Sequence, residues 1–251
     1  MALANRLPDP YYKLDTSGAG SETGSGDAGP GFANVKLTSD QKMAVTRTNS
    51  QRVIARAIAG HKWNIDIGYH PMTRSEFDPV YTFLLQQRGP LTPFFVSLPQ
   101  YRTVKNSGWQ TILNSSSPSY TFPVPGGVAA GTTQLTITVT PSSGSYTATS
   151  ANIPKPGELF TVNDSNNSNH TKAYMITMVE RNGDLQAGSA ALNANQLRLT
   201  VNPPITKFIG TNGLLVFKEP LIKTIAPTAV REYSLNTENL YSFSLKLEEY
   251  L

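Results

Sequence analysis

The sequence predicts a mainly β fold, a small β-barrel or sandwich with one flanking helix, interrupted by an inserted all-β module. Three observations carry this expectation. Charged residues fill only 15% of the 251 positions, against roughly 25% in an average soluble protein. Ser, Thr and Asn together supply 67 positions, more than a quarter of the chain, as on the surface of a β protein. Short stretches that alternate apolar and polar side chains recur between Gly, Pro and Asn-rich turns, whereas helical spacing is convincing in one place only.

The chain opens with an expected flexible arm, residues 1–34. Within it DTSGAGSETGSGDAGPG, residues 15–31, has no apolar periodicity, so burial cannot offset the entropy of ordering it. A competing reading has the arm order on a neighbouring subunit, helped by Tyr11 and Tyr12. From Val35 short strands begin. Met43–Thr48 and Val53–Ala59 flank the turn-prone Thr48–Gln51 and predict a hairpin. In His61–Tyr69, Trp63, Ile65 and Ile67 alternate with Asn64, Asp66 and Gly68, so that strand covers a core on one face. Phe77, Val80, Tyr81 and Leu84 then fall at helical spacing, and Arg88–Gly89 is a stop signal. Thr73 with Glu76 fits a capping box, but that start places Pro79 inside the helix. Asp78 as N-cap with Pro79 at N1 avoids the conflict. The expectation is a short first turn at 73–77 and a main helix at 79–88. Pro93–Leu98, PFFVSL, is continuous in apolarity, as a strand buried on both faces would be.

Residues 108–213 are richer in Thr, Ser, Asn, Gly and Pro and nearly lack helix signals. Gln134–Thr140, Glu158–Val162, Ala173–Val179 and Gln196–Val201 are expected strands, with PKPG at 154–157 and RNGD at 181–184 as turns. The earlier character returns in Leu214–Phe217 and in Tyr241–Leu247, YSFSLKL. The predicted organisation is therefore a discontinuous domain, 35–107 plus 214–251, holding an inserted module at 108–213.

Chemistry is sparse. With no Cys, disulfides, thiolate nucleophiles and zinc ribbons are excluded. His61, His70 and His170 have no i, i+4 partner or H-E-x-x-H context and are expected on the surface or in turns. No G-x-S-x-G elbow is present. Asn163–His170, NDSNNSNH, looks oxygen-rich but fails the EF-hand test, since Asp164 is its one acid and the closing Glu is missing. The glycosylation sequons Asn166–Asn167–Ser168 and Asn169–His170–Thr171 carry little weight, because Met1–Pro10 lacks the apolar core of a secretory signal. No run approaches the roughly 18 apolar residues of a membrane helix. The net charge of +4 and pI near 9.2 add a modest basic bias, and aromatics in the module are not interleaved with Lys and Arg as a base-stacking surface requires. No catalytic, cofactor-binding or metal residue is assigned, and an enzyme is not expected.

The segment WNIDIGYHPMTRSEFDPVYTFLLQQRGPLTPFFVSLPQY, Trp63–Tyr101, resembles tail proteins of tailed bacteriophages in the tail-tube, distal-tail and baseplate-ring group. There a strand, a helix with a PMTRxEFxPxYxFL type of run and a PFFVSLP strand occur in this order. The ending YSFSLKLEE is similar to the closing strand of that domain. The resemblance implies a structural virion protein that forms a ring, usually a hexamer, at the tail-tube end or baseplate. It also implies contacts with adjacent tube, hub or baseplate proteins, and passage of the genome through the channel without specific binding. Such a protein is made in the host cytoplasm and sits in the virion, without membrane insertion. The module at 108–213 would offer a glycan or fibre contact. Alternative readings are a host-receptor-binding tail protein and a carbohydrate-binding β-sandwich module.

Overall fold

The computed structural model describes residues 5–14, 20–21, 28–57, 60–165, 170–228 and 232–250. The chain is mainly β, built from several open sheets with no closed barrel, and it divides into two compact units. Unit 1 comprises residues 1–97 and 223–251, and unit 2 comprises residues 98–222. The crossing points therefore lie about ten residues outside those read from composition.

Unit 1 begins with strands β1 (Phe32–Asp40), β2 (Met43–Arg47), β3 (Val53–Ala57) and β4 (Lys62–Tyr69). β1 pairs antiparallel with β4 from Phe32↔Tyr69 to Asp40↔Lys62, and β2 pairs with β3 from Met43↔Ala57 to Arg47↔Val53. Together they make one long hairpin with a near half and a far half. In β4 the predicted alternation is realised, with Trp63, Ile65, Ile67 and Tyr69 buried.

Helix α1 spans Arg74–Gln87 without a break, and Pro79 lies inside it. The expected split at Asp78 is corrected: Thr73 is the N-cap, and both its backbone N–H and its hydroxyl donate to Glu76 Oε2, at 2.9 and 2.8 Å. Those two bonds fix the first turn, so the one bond lost at Pro79 is tolerated. The helix stops at Arg88, which takes a left-handed φ of 54°. Phe77, Val80, Phe83 and Leu84 are buried, and Phe77 stacks on Tyr241 at 4.6 Å between ring centres. Strand β5 (Phe94–Ser97) follows.

Unit 2 opens with α2 (Ser107–Asn114), so the module is not all-β as expected. Its N-cap is Asn106, whose Oδ1 accepts from Gly108 N and whose Nδ2 donates to the carbonyls of Ser150 and Ile153. A Cβ on Gly108 would collide with the Ala151 carbonyl, so glycine lets this short helix sit against the 150–153 turn. The strands are β6 (Gln134–Thr138), β7 (Leu159–Asn163), β8 (Ala173–Arg181), β9 (Gln196–Asn202) and β10 (Leu214–Val216). They form one antiparallel sheet in the order β10-β7-β8-β9-β6. Leu214–Val216 thus belongs to unit 2, bonded to β7, and not to the first domain. Trp109 of α2 is fully buried against Phe122 and Phe217, within a core that includes Ile137, Phe160, Tyr174, Leu197 and Leu199.

The chain returns through β11 (Leu221–Ile225) and β12 (Ser244–Glu249). The unit 1 sheet then reads β1-β4-β12-β11-β5. β12 pairs with β4 from Ser244↔Gly68 to Glu248↔Asn64, and Met72 and Tyr241 exchange two backbone hydrogen bonds of 2.8 and 2.9 Å. Two stretches of chain separated by unit 2 therefore share one sheet.

Candidate assembly surface

The two edges of the unit 1 sheet are treated differently. β5 is covered by the first described residues of the chain: Leu7 N–H donates to the Phe95 carbonyl at 2.8 Å, and Phe95 N–H to the Asn5 carbonyl at 2.6 Å. Arg6, Leu7, Asp9 and Tyr12 are buried, an ion pair of 2.7 Å joins Arg6 to Asp9, and the Arg6 guanidinium lies over the Tyr12 ring at 4.8 Å. We call residues 5–12 the strap. Its seating corrects the expectation of a flexible arm for these residues, as do the pairing of Lys13–Leu14 with Gly20–Ser21 and the start of β1 at Phe32, whereas 1–4, 15–19 and 22–27 lie outside the described residues. The Asp9–Pro10 turn, in which Asp9 Oδ1 accepts from Tyr11 N at 2.8 Å, is the one local signal from which the strap could have been read.

The opposite edge, β1, pairs with β4 alone among the described strands. Its continuation, the β2–β3 hairpin, is exposed at Met43–Arg47 and at residues 53–56. Cross-strand register puts Met43, Val45, Arg47, Val53 and Ala55 on one face and Ala44, Thr46, Ile54 and Arg56 on the other. Met43 is 50% exposed, Val45 62%, Val53 54% and Ile54 50%. No acid falls between residues 41 and 57, while Lys42, Arg47, Arg52 and Arg56 do, so the hairpin is both apolar and cationic. The tip is held by Thr48, whose Oγ1 accepts from Arg52 N and whose backbone N–H donates to the Arg52 carbonyl.

The residues weighed for chemistry are placed elsewhere. His61 is buried rather than on the surface, with Ser39 Oγ 2.8 Å from its Nε2 and Trp63 edge-on at 4.6 Å. His170 is also buried; its Nε2 shares a 2.7 Å hydrogen bond with Tyr174 OH, which accepts from Thr206 N. Burial, reinforced by Lys207 and opposed by Asp164, lowers the His170 pKa to about 4. His70 is exposed. In the oxygen-rich loop, 166–169 lie outside the described residues, and with them Asn166 and Asn169 of the two sequons named above. Asp164 is buried and accepts from Gly210 N at 2.7 Å, a structural use of its carboxylate. Among the described residues no cluster of three or more His, Asp and Glu could hold a metal ion.

Buried acids are likewise engaged. Glu180 accepts from Gln186 N, Ser189 Oγ and Arg198 Nη1, and these hydrogen bonds hold its pKa below the usual carboxylate range. Unit 2 carries an open groove of about 410 Å³ lined by Gly127, Thr132, Gln134, Thr136 and Arg198 among others. Phe208, 58% exposed, lies beside it against Gly127. No protein-family model matches this chain, and no curated protein matches it in sequence.

Proposed function

We propose that this chain is a structural protein of a tailed-bacteriophage virion, one that docks copies of itself head to tail into a ring, of six by the resemblance, at the tail-tube end or baseplate. The observation that carries the reading is the β2–β3 hairpin. A two-stranded hairpin alone is marginal in water, and this one presents Met43, Val45, Val53 and Ile54 to solvent in an isolated copy. A neighbouring sheet that covers it would remove that apolar area from water and pair its edges. The uncovered edge of β1, continuous with the hairpin, supplies the complementary template. A surface patch and a different receiving edge make a heterologous contact, which closes into a ring when the rotation permits. The work of such a protein is assembly and formation of a conduit through which DNA passes unread.

The test is native mass by light scattering and negative-stain imaging, with Val45→Asp as the variant. The wild type is expected to form rings. Val45→Asp is expected to stay monomeric with an unchanged melting temperature, because that side chain touches little of its own unit. A wild type that is monomeric at every concentration, or a variant that assembles normally, overturns the proposal.

A second reading concerns unit 2 in the same particle. The polar groove with Phe208 at its side has the make-up of a saccharide contact, an apolar ring face beside amide, hydroxyl and guanidinium groups. Glycan-array binding lost in Phe208→Ala would support a host-facing role.

A further inference from the structure

We infer that the strap is exchanged between copies: residues 5–12 of one chain lie on β5 of the next. The inference rests on the ring reading above and adds a named interface to it. Three observations carry it. The strap is held as a bound peptide would be, by main-chain bonds to a sheet edge and by buried side chains, Leu7 at 1% exposure and Tyr12 at 5%. Its seat is shaped for main chain: a Cβ on Gly29 would fall within 2.6 Å of Asp9 N and Pro8 O, and Gly29 N donates to the Asp9 carbonyl. The segment joining strap and seat, residues 15–27, is DTSGAGSETGSGD. Residues 20–21 pair back on Lys13–Leu14, and Lys13 bridges Ala28, so exchange opens these pairings or re-forms them on the neighbour; thirteen residues freed from them extend to roughly 45 Å.

Every contact of the strap can form with the chain's own seat or with a neighbour's, because donor and seat are the same in all copies. The balance is then set by effective concentration, and a ring holds the neighbour's seat permanently within the tether's reach. Exchange links each subunit to the next without adding any apolar surface to the isolated molecule.

The absence of Cys gives a clean test. Arg6 and Phe95 face each other as bridge partners, so Arg6→Cys with Phe95→Cys is oxidised and run on a denaturing gel without reductant. Exchange predicts a ladder of covalent multimers. A crosslinked monomer from protein that forms rings overturns exchange and leaves the ring reading standing. A crosslinked monomer from protein that never assembles overturns both. Because the change at Arg6 removes a buried ion pair, a second measurement keeps Arg6 and places a photoreactive benzoylphenylalanine at Phe95. Nitrogen-15-labelled and unlabelled chains are mixed, refolded together and irradiated. Mass spectra of strap crosslinks containing one label of each kind support exchange, and crosslinks within a single label alone refute it.

Discussion

Gly29 illustrates how a single missing side chain positions a whole segment. Gly29→Ala forces either the strap or the start of β1 to move, and overpacking of this kind typically costs about 1–3 kcal/mol. The expected outcome is a melting temperature lowered by several degrees and protease cleavage within residues 5–14 while the remainder resists. His170 makes a pH-dependent contribution whose sign follows from its depressed pKa. Folded, it stays neutral down to about pH 4; unfolded, it takes a proton near its ordinary 6.5. The unfolded state therefore binds more protons between those values, and stability falls as pH drops from about 6.5 to about 4. Glu76 and Glu180, whose pKa values are lowered, withdraw stability only below about 4.5, and Glu158, raised by burial, acts in the opposite sense. Subtracting the stability of His170→Gln from that of the wild type at each pH isolates the histidine's titration: the difference should be constant above pH 7 and move against the wild type as pH falls toward 4.5. A flat difference would contradict the assignment. None of this was legible in sequence, because the burial of His61 and His170 is produced by partners 22 and 4 residues away with no periodic pattern.

Among elements, the hairpin, β4, α1 and β5 were readable because each announces itself locally, through alternation, turn residues or spacing. Helix α1 was misdivided at Pro79, since the cost of a proline in the second turn is visible in sequence while the compensating bonds from Thr73 to Glu76 are geometric. Helix α2 was missed for a related reason: SGWQTILN is eight residues long, and Asn106 becomes a recognisable cap only when the 150–153 turn receives its side chain. Short helices depend on tertiary packing for their existence. Leu84 tests α1 directly. It is 1% exposed, so Leu84→Asp removes a buried apolar group and buries an acid, at a cost of at least about 3–5 kcal/mol. Loss of soluble protein, or of the cooperative melting transition, is expected; a normally melting variant would refute the placement of that face.

At the scale of the molecule, composition revealed that the chain leaves one β unit and comes back to it, but located the crossings at 107/108 and 213/214 rather than 97/98 and 222/223. Residues 214–222, LLVFKEPLI, carry the apolar character of unit 1 while contributing to unit 2, as Leu215 and Phe217 do through its core. Composition cannot separate two cores built from the same residue types. Each unit nevertheless has its own sheet, so replacing 98–220, which spares all of β11, by a short Gly-Ser connection should leave unit 1 cooperatively folded. A chain that melts without a transition after this excision would disprove that independence.

The strands that leave and re-enter unit 1, β5 and β11, are neighbours in its sheet. A gap so narrow can be bridged by a few residues or by a whole folded cassette at nearly the same loop-closure entropy. The scaffold can thus accept inserts of unrelated sequence and size at this junction while its own sheet keeps the same strand order.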